Sequence, residues 1–113
     1  MVNHFYIPDG GDVIYLTFDQ GRGHEQRGRR PAVVLTSRKY NELIGLALVC
    51  PVTSKIKGYV FEVPCVLRNK ASVVLCDHVK SVAWREHNPV FIDMVESSVL
   101  AETIRKIVLL LTN

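Results

Sequence analysis

Short apolar runs, each closed off by a turn residue, fill the first three quarters of the chain and leave little room for long helices. Asp12–Phe18 is rich in β-branched and aromatic residues and is entered through Gly10-Gly11, so it reads as a strand. Ala32–Thr36 reads as a second, with Pro31 tolerable at its first position. Leu46–Cys50 opens after Gly45, Tyr59–Val63 opens after Gly58, and Ser72–Cys76 gives a fifth strand that can continue through Val79–Trp84. Val90–Ile92 adds a last short one. Most runs are apolar at consecutive positions, as expected where both faces of a sheet are covered. Strands without intervening helices point to a small barrel or curled sheet, not to alternating βαβ units.

The period changes at the end. Leu100, Ile104, Ile107, Val108 and Leu111 recur at helical spacing, with Glu102, Arg105 and Lys106 on the other face. Ser97 or Ser98 can cap this helix, Glu96 suits its positive end, and the apolar stripe is expected to pack on the sheet. A shorter helical turn is expected over Arg38–Glu42.

At 113 residues, with 48% hydrophobic and 22% charged residues, the chain is expected to form one globular domain over residues 1–113. Its longest aliphatic run, Ile107–Leu111, is far short of the roughly 20 apolar residues that span a bilayer. The opening Met1-Val2-Asn3-His4 lacks the basic and apolar regions of a secretory signal, so no membrane association and a cytoplasmic location are expected. Cys50, Cys65 and Cys76 are odd in number and lie in apolar contexts, as small core residues of a reducing compartment do. A net charge of +3 decides little by itself, but its distribution is uneven.

Asp19 to Arg30 carries that unevenness. It holds Gly21, Gly23 and Gly28, four arginines, and Gln20, His24, Glu25 and Gln26, with no apolar residue. It reads as a long loop between two core strands, either a solvated surface loop or a functional one. A second basic cluster is Lys55 with Lys57. The histidines His4, His24, His78 and His87 show no short ligand spacing, so neither a metal nor another cofactor is expected.

Four blocks in register resemble one known family. They are Pro8–Tyr15; Gly23-His24-Glu25-Gln26 with Gly28-Arg29-Arg30-Pro31; Pro51-Val52-Thr53-Ser54 with Lys57–Val63; and Cys76–Arg85. Their order is similar to that of the MazF/PemK toxins. The resemblance implies a mainly β, SH3-like barrel of about five to seven strands with a C-terminal helix, forming a homodimer. It implies sequence-specific, metal-independent cleavage of single-stranded RNA, mRNA included, through attack by the 2′-hydroxyl, leaving a 2′,3′-cyclic phosphate and a 5′-hydroxyl. It also implies a cognate antitoxin whose disordered tail blocks the RNA groove. Two positions depart from the family: His78 stands where glutamine is common, and Leu75 stands where some members have arginine.

Such cleavage needs a base, an acid and positive charge on the phosphorane. Arg30 fits the charge role because its guanidinium can fork onto two phosphate oxygens. Glu25 is the leading candidate base, with His24 as a second titratable group. Thr53 resembles the family's site threonine, and Asp77 can orient these groups. Arg22, Arg27, Arg29, Lys55 and Lys57 are candidates to track the RNA backbone, with Gln26, His78 and Lys80 of the matched blocks. Trp84 reads as a core or dimer contact. Two non-enzymatic alternatives share the fold. One is a CcdB-like topoisomerase poison, which depends on an aromatic C-terminal tail where this chain ends Leu109-Leu110-Leu111-Thr112-Asn113. The other is an SH3-like module that binds RNA without cutting it, and it has no need of Glu25, Thr53 or Asp77.

Overall fold

The computed structural model describes residues 6–18 and 28–113. In chain order it contains β1 (Asp12–Phe18), β2 (Gly28–Val34), α1 (Arg38–Ile44), β3 (Ala47–Thr53), β4 (Glu62–Leu67), β5 (Lys70–Leu75), β6 (Lys80–Val82), β7 (Val90–Met94) and α2 (Ser97–Thr112), with 3₁₀ turns at Cys76–His78 and Trp84–His87. The strands form one curled antiparallel sheet in the order β4-β5-β3-β2-β1-β7, with β6 beside β3. The architecture is mainly β: a half-barrel with a C-terminal helix.

β3 is the strand on which the sheet turns. Its residues Val49–Pro51 pair with β2 along one edge. Along the other edge Ala47–Val49 pair with β6, and Val52 and Thr53 pair with β5. Changing partner in mid-strand bends the sheet and gives it two unlike faces. Val13, Val33, Cys50, Val52, Val63, Val74 and Cys76 fill the first face, where Val99, Leu100 and Ile107 of α2 pack over them. Ile14, Leu16, Ala32, Val34, Ala47, Val49, Val82 and Trp84 form the second. The consecutive apolar residues of β1 and β2 are thus sorted to opposite sides by the strand's two-residue period. Each fully buried aliphatic side chain contributes about 1.5–3 kcal/mol.

Several boundaries differ from those expected. β2 begins at Gly28, not Ala32, because Leu16, Thr17 and Phe18 of β1 pair with Arg30, Arg29 and Gly28. The long loop read as Asp19 to Arg30 therefore ends before Gly28. β3 continues through Pro51 to Thr53, since Val52 and Thr53 find new partners in β5. β4 begins at Glu62 instead of Tyr59, and Tyr59–Phe61 form a turn. The β4–β5 hairpin turns on Arg68 (φ 49°) and Asn69 (φ 66°), two left-handed residues without the usual Asn-Gly signal.

The helices also revise the reading. α1 is seven residues long, is capped by Ser37, whose Oγ accepts from the Tyr40 N–H at 3.3 Å, and stops at the left-handed Gly45 (φ 81°). Neither Ser97 nor Ser98 caps α2. Glu96 occupies the cap position without a side-chain bond, and its carbonyl accepts from the Val99 and Leu100 N–H groups. The packed stripe of α2 is Val99, Leu100, Thr103 and Ile107, whereas Ile104, Val108 and Leu111 remain exposed. Among the described residues no helix is long and apolar enough to cross a membrane.

Candidate active site

Among the described residues, the second face is covered only in part. Trp84 closes one end, fully buried and donating its Nε1–H to the Asn41 carbonyl at 3.1 Å. Toward the other end Leu16, Ala32 and Val49 floor an open groove of about 1100 Å³. Around them stand Arg30, Thr53, Lys55, Lys57, Tyr59, Asp77, His78 and Lys80. Seven residues singled out from the sequence thus share one concavity: Arg30, Thr53, Lys55, Lys57, Asp77, His78 and Lys80.

Strand parity sets the arginines. Arg30 pairs with Leu16 and alternates with Ala32 and Val34, so it faces the groove. Its neighbour Arg29 points away, with its guanidinium 4.1 Å from the centre of the Tyr15 ring. Arg29 was expected to track RNA beside Arg30, and the structure sets it on the other face. β2 and β3 pair as Ala32↔Pro51. Arg30 and Thr53 both line the groove beyond the end of this ladder.

The far wall is built by hydrogen bonds. Thr53 Oγ1 accepts from the Lys55 N–H at 3.1 Å and turns the chain out of β3. Glu62 then gathers the following segment: its carboxylate accepts from the Lys57 (3.2 Å), Gly58 (2.9 Å) and Tyr59 (3.3 Å) N–H groups. Glu62 is buried, and Lys106 of α2 donates to the Val60 carbonyl at 2.6 Å and the Glu62 carbonyl at 3.2 Å. Three successive N–H groups converging on one carboxylate fix the path of the segment carrying Lys55 and Lys57. Glu62 was not singled out from the sequence, where it looked like one polar residue in a strand. The polar residue closing Gly58–Glu62 was the available signal.

Tyr59 closes the network. Its hydroxyl donates to Asp77 Oδ2 at 2.6 Å, and that bond holds the phenol above the ordinary tyrosine range. His78 Nε2 lies 3.9 Å from Asp77 Oδ1. Across the groove the Lys80 ammonium sits 4.6 Å from the centre of the Phe18 ring. His87 lies outside the groove; its Nδ1 is 3.0 Å from the Thr17 carbonyl oxygen. Arg22, His24, Glu25, Gln26 and Arg27 lie outside the described residues.

The thiols belong to the first face. Cys50, Cys65 and Cys76 are free and buried. Burial, with Cys76 and Asp77 nearby, pushes the Cys50 thiol up to about 12, so it is no nucleophile at neutral pH. Among the described residues no three His, Cys, Asp or Glu side chains are grouped so as to hold a metal ion.

Fold and groove together define a small curled-sheet protein with one face lined by fixed cations. The chain belongs to the PemK-like, MazF-like toxins of type II toxin–antitoxin systems, whose family model matches residues 9–111. It is 49% identical over 80 residues to the endoribonuclease toxin MazF of Escherichia coli K12, covering 71% of this chain and 72% of that one. The crystal structure of MazF from Deinococcus radiodurans superposes with a TM-score of 0.83 at 43% identity, covering 96% of this chain and 100% of the other. A MazE–MazF crystal structure from the same organism matches with a TM-score of 0.83 at 39% identity, covering 96% and 98%.

Proposed function

We propose that the protein is a single-domain endoribonuclease toxin that cleaves single-stranded RNA, mRNA included, at selected sequences in the cytoplasm, without a metal. The observation that carries this is the meeting of Arg30 and Thr53 with Lys55, Lys57 and Lys80 in one groove. Four fixed cations can follow a phosphodiester chain through several residues. The aliphatic floor offers unstacked bases an apolar bed. The similarity to proteins named as endoribonuclease toxins supports the same reading.

The nucleophile belongs to the substrate. A carboxylate base, assigned to Glu25 with His24 as its alternate, takes the 2′-hydroxyl proton. The 2′-oxygen attacks the adjacent phosphorus. Arg30 forks onto the non-bridging oxygens as negative charge grows there, and Thr53 donates its hydroxyl to the same group. As the P–O5′ bond breaks, the 5′-oxygen takes a proton from an acid of the site or from water, leaving a 2′,3′-cyclic phosphate and a 5′-hydroxyl.

The same groove is assigned to the antitoxin. An acidic disordered segment meets the cations that RNA would meet, so the two compete; the matched structures that name MazE with MazF support such a partner. Homodimer formation is part of the proposal, and the exposed Leu43 and Ile44 of α1, Leu46 of the connection and Leu48 of β3 offer apolar surface for it.

A time course on a short RNA, with and without one 2′-deoxy position 5′ to the cut and with and without EDTA, tests the chemistry. The deoxy position should stop cleavage, and EDTA should leave the rate on unmodified RNA unchanged. A magnesium-requiring cut that leaves a 5′-phosphate would overturn the reading.

A further inference from the structure

His78 differs from the other groove cations because its charge is conditional. Guanidinium and ammonium groups hold phosphate well but give up protons poorly at neutral pH. Imidazole gains and loses its proton between about pH 5 and 8. His78 sits on the 3₁₀ turn Cys76–His78, lines the groove and has a side chain 58% exposed, so a substrate in the groove can reach it.

The group behind it is incompletely satisfied. Asp77 Oδ2 is taken by the Tyr59 hydroxyl. Asp77 Oδ1 is, among the described residues, the one buried side-chain oxygen or nitrogen without a hydrogen-bond partner. His78 Nε2, at 3.9 Å, is too far for a hydrogen bond but needs to approach by only about one ångström to form one. A buried carboxylate oxygen left unpaired favours any donor that can reach it, and a charged donor most. The arrangement Tyr59–Asp77–His78 therefore presents an imidazole to the groove with a fixed carboxylate behind it.

We propose that His78 is a catalytic proton donor in RNA cleavage, that Asp77 is its positioning partner, and that Tyr59 holds Asp77 in place. This rests on the endoribonuclease reading. As the P–O2′ bond forms, the 2′-hydroxyl proton passes to the general base. As the P–O5′ bond breaks, its electron pair takes the proton of the His78 imidazolium. The products are the cyclic phosphate, a free 5′-hydroxyl and a neutral imidazole, which regains a proton from water while the base returns one.

Among the described residues, the charged and titratable groups lining the same groove are Asp77, Glu62, Tyr59, Arg30, Lys55, Lys57 and Lys80. A proton donor gives a rate that falls as pH rises. The falling limb should appear both in kcat, which reports the complex, and in kcat/KM, which reports the free enzyme.

The test is a pair of pH–rate profiles on a short RNA for wild type, His78→Gln and Asp77→Asn. A matched RNA whose leaving 5′-oxygen is replaced by sulfur completes the set, because a thiolate departs without a donated proton. His78→Gln should lower kcat at least about tenfold with KM nearly unchanged and lose the falling limb. Asp77→Asn should keep the limb and lower kcat by less, with that loss likewise restored by the sulfur-substituted RNA. His78→Gln should cut the sulfur-substituted RNA at close to the wild-type rate. An unchanged rate and limb in His78→Gln, or a loss that sulfur does not restore, would overturn the proposal while leaving the endoribonuclease reading intact. Wild-type cleavage at a 2′-deoxy position would overturn both.

Discussion

The two faces of the sheet share the same strands and end as different environments. On the helix-covered face, Val33, Cys50 and Val74 are sealed beneath α2, and all three thiols are buried there. On the other face, Leu16, Ala32 and Val49 are just as apolar, yet past Trp84 they floor an open groove ringed by cations. The difference arises at the strand ends, where apolar positions give way to Arg30 on β2 and Thr53 on β3. A neighbouring residue one step along the same strand can belong to the other environment, as Arg29 does.

The sharpest way to break this comparison is to remove the two arginines separately. Arg30→Ala should leave the fold intact and reduce kcat a hundredfold or more, on the order of 3 kcal/mol of lost transition-state stabilisation. Arg29→Ala removes the same charge from the opposite face and should change the rate less than about threefold, with at most about 1 kcal/mol of stability lost with its contact to Tyr15. Equal losses of rate would show that strand parity does not separate the faces.

A smaller effect is expected at Glu62. Glu62→Ala leaves the N–H groups of Lys57, Gly58 and Tyr59 without their acceptor and should cost about 1–3 kcal/mol of stability in urea unfolding. Freed of that anchor, Lys55 and Lys57 should bind RNA more weakly, raising KM more than it lowers kcat. A variant with wild-type KM would show that the groove wall does not need the carboxylate.

The smallest effect concerns the covered face. Burial raises the thiols, and Cys50 reaches about 12. Above the ordinary thiol range the unfolded chain therefore loses protons that the folded chain retains. The stabilisation is complete below that range and is lost as pH climbs toward the folded values. Urea midpoints should decline over that window, and native thiols should resist a disulfide reagent at pH 8. Rapid labelling of native protein would show that α2 does not seal its face.

The strands were legible where their cores are apolar. Asp12–Phe18 matches β1 residue for residue, because β-branched and aromatic side chains carry their own signal. Gly28-Arg29-Arg30 has no such pattern and is strand only because Leu16–Phe18 pair with it. That hid the opposite facing of Arg29 and Arg30. Motif order brought Thr53, Asp77 and Lys80 onto the list of candidates, and the fold brings them to one groove. Glu62 was missed because gathering three backbone N–H groups is a property of the turn it helps to make, with no periodicity to announce it. In α2 the helical spacing was plain, but only the sheet decides that Thr103 faces inward and Ile104 outward.

The three pairings of β3 also set a timetable. Its partners lie at Ala32–Val34, Val73–Val74 and Lys80–Val82, so the strand is bracketed by chain made long before and well after it. Non-local ladders of this kind close late, after the connecting chain has been ordered. During synthesis the end of β3 that carries Thr53 waits, unpaired with β5, until Val73 and Val74 have left the ribosome. The β6 edge that presents Lys80 waits longer still. A nascent chain halted between Lys57 and Val82 thus carries Arg30, Thr53, Lys55 and Lys57 but not the complete ladder that brings them into one groove.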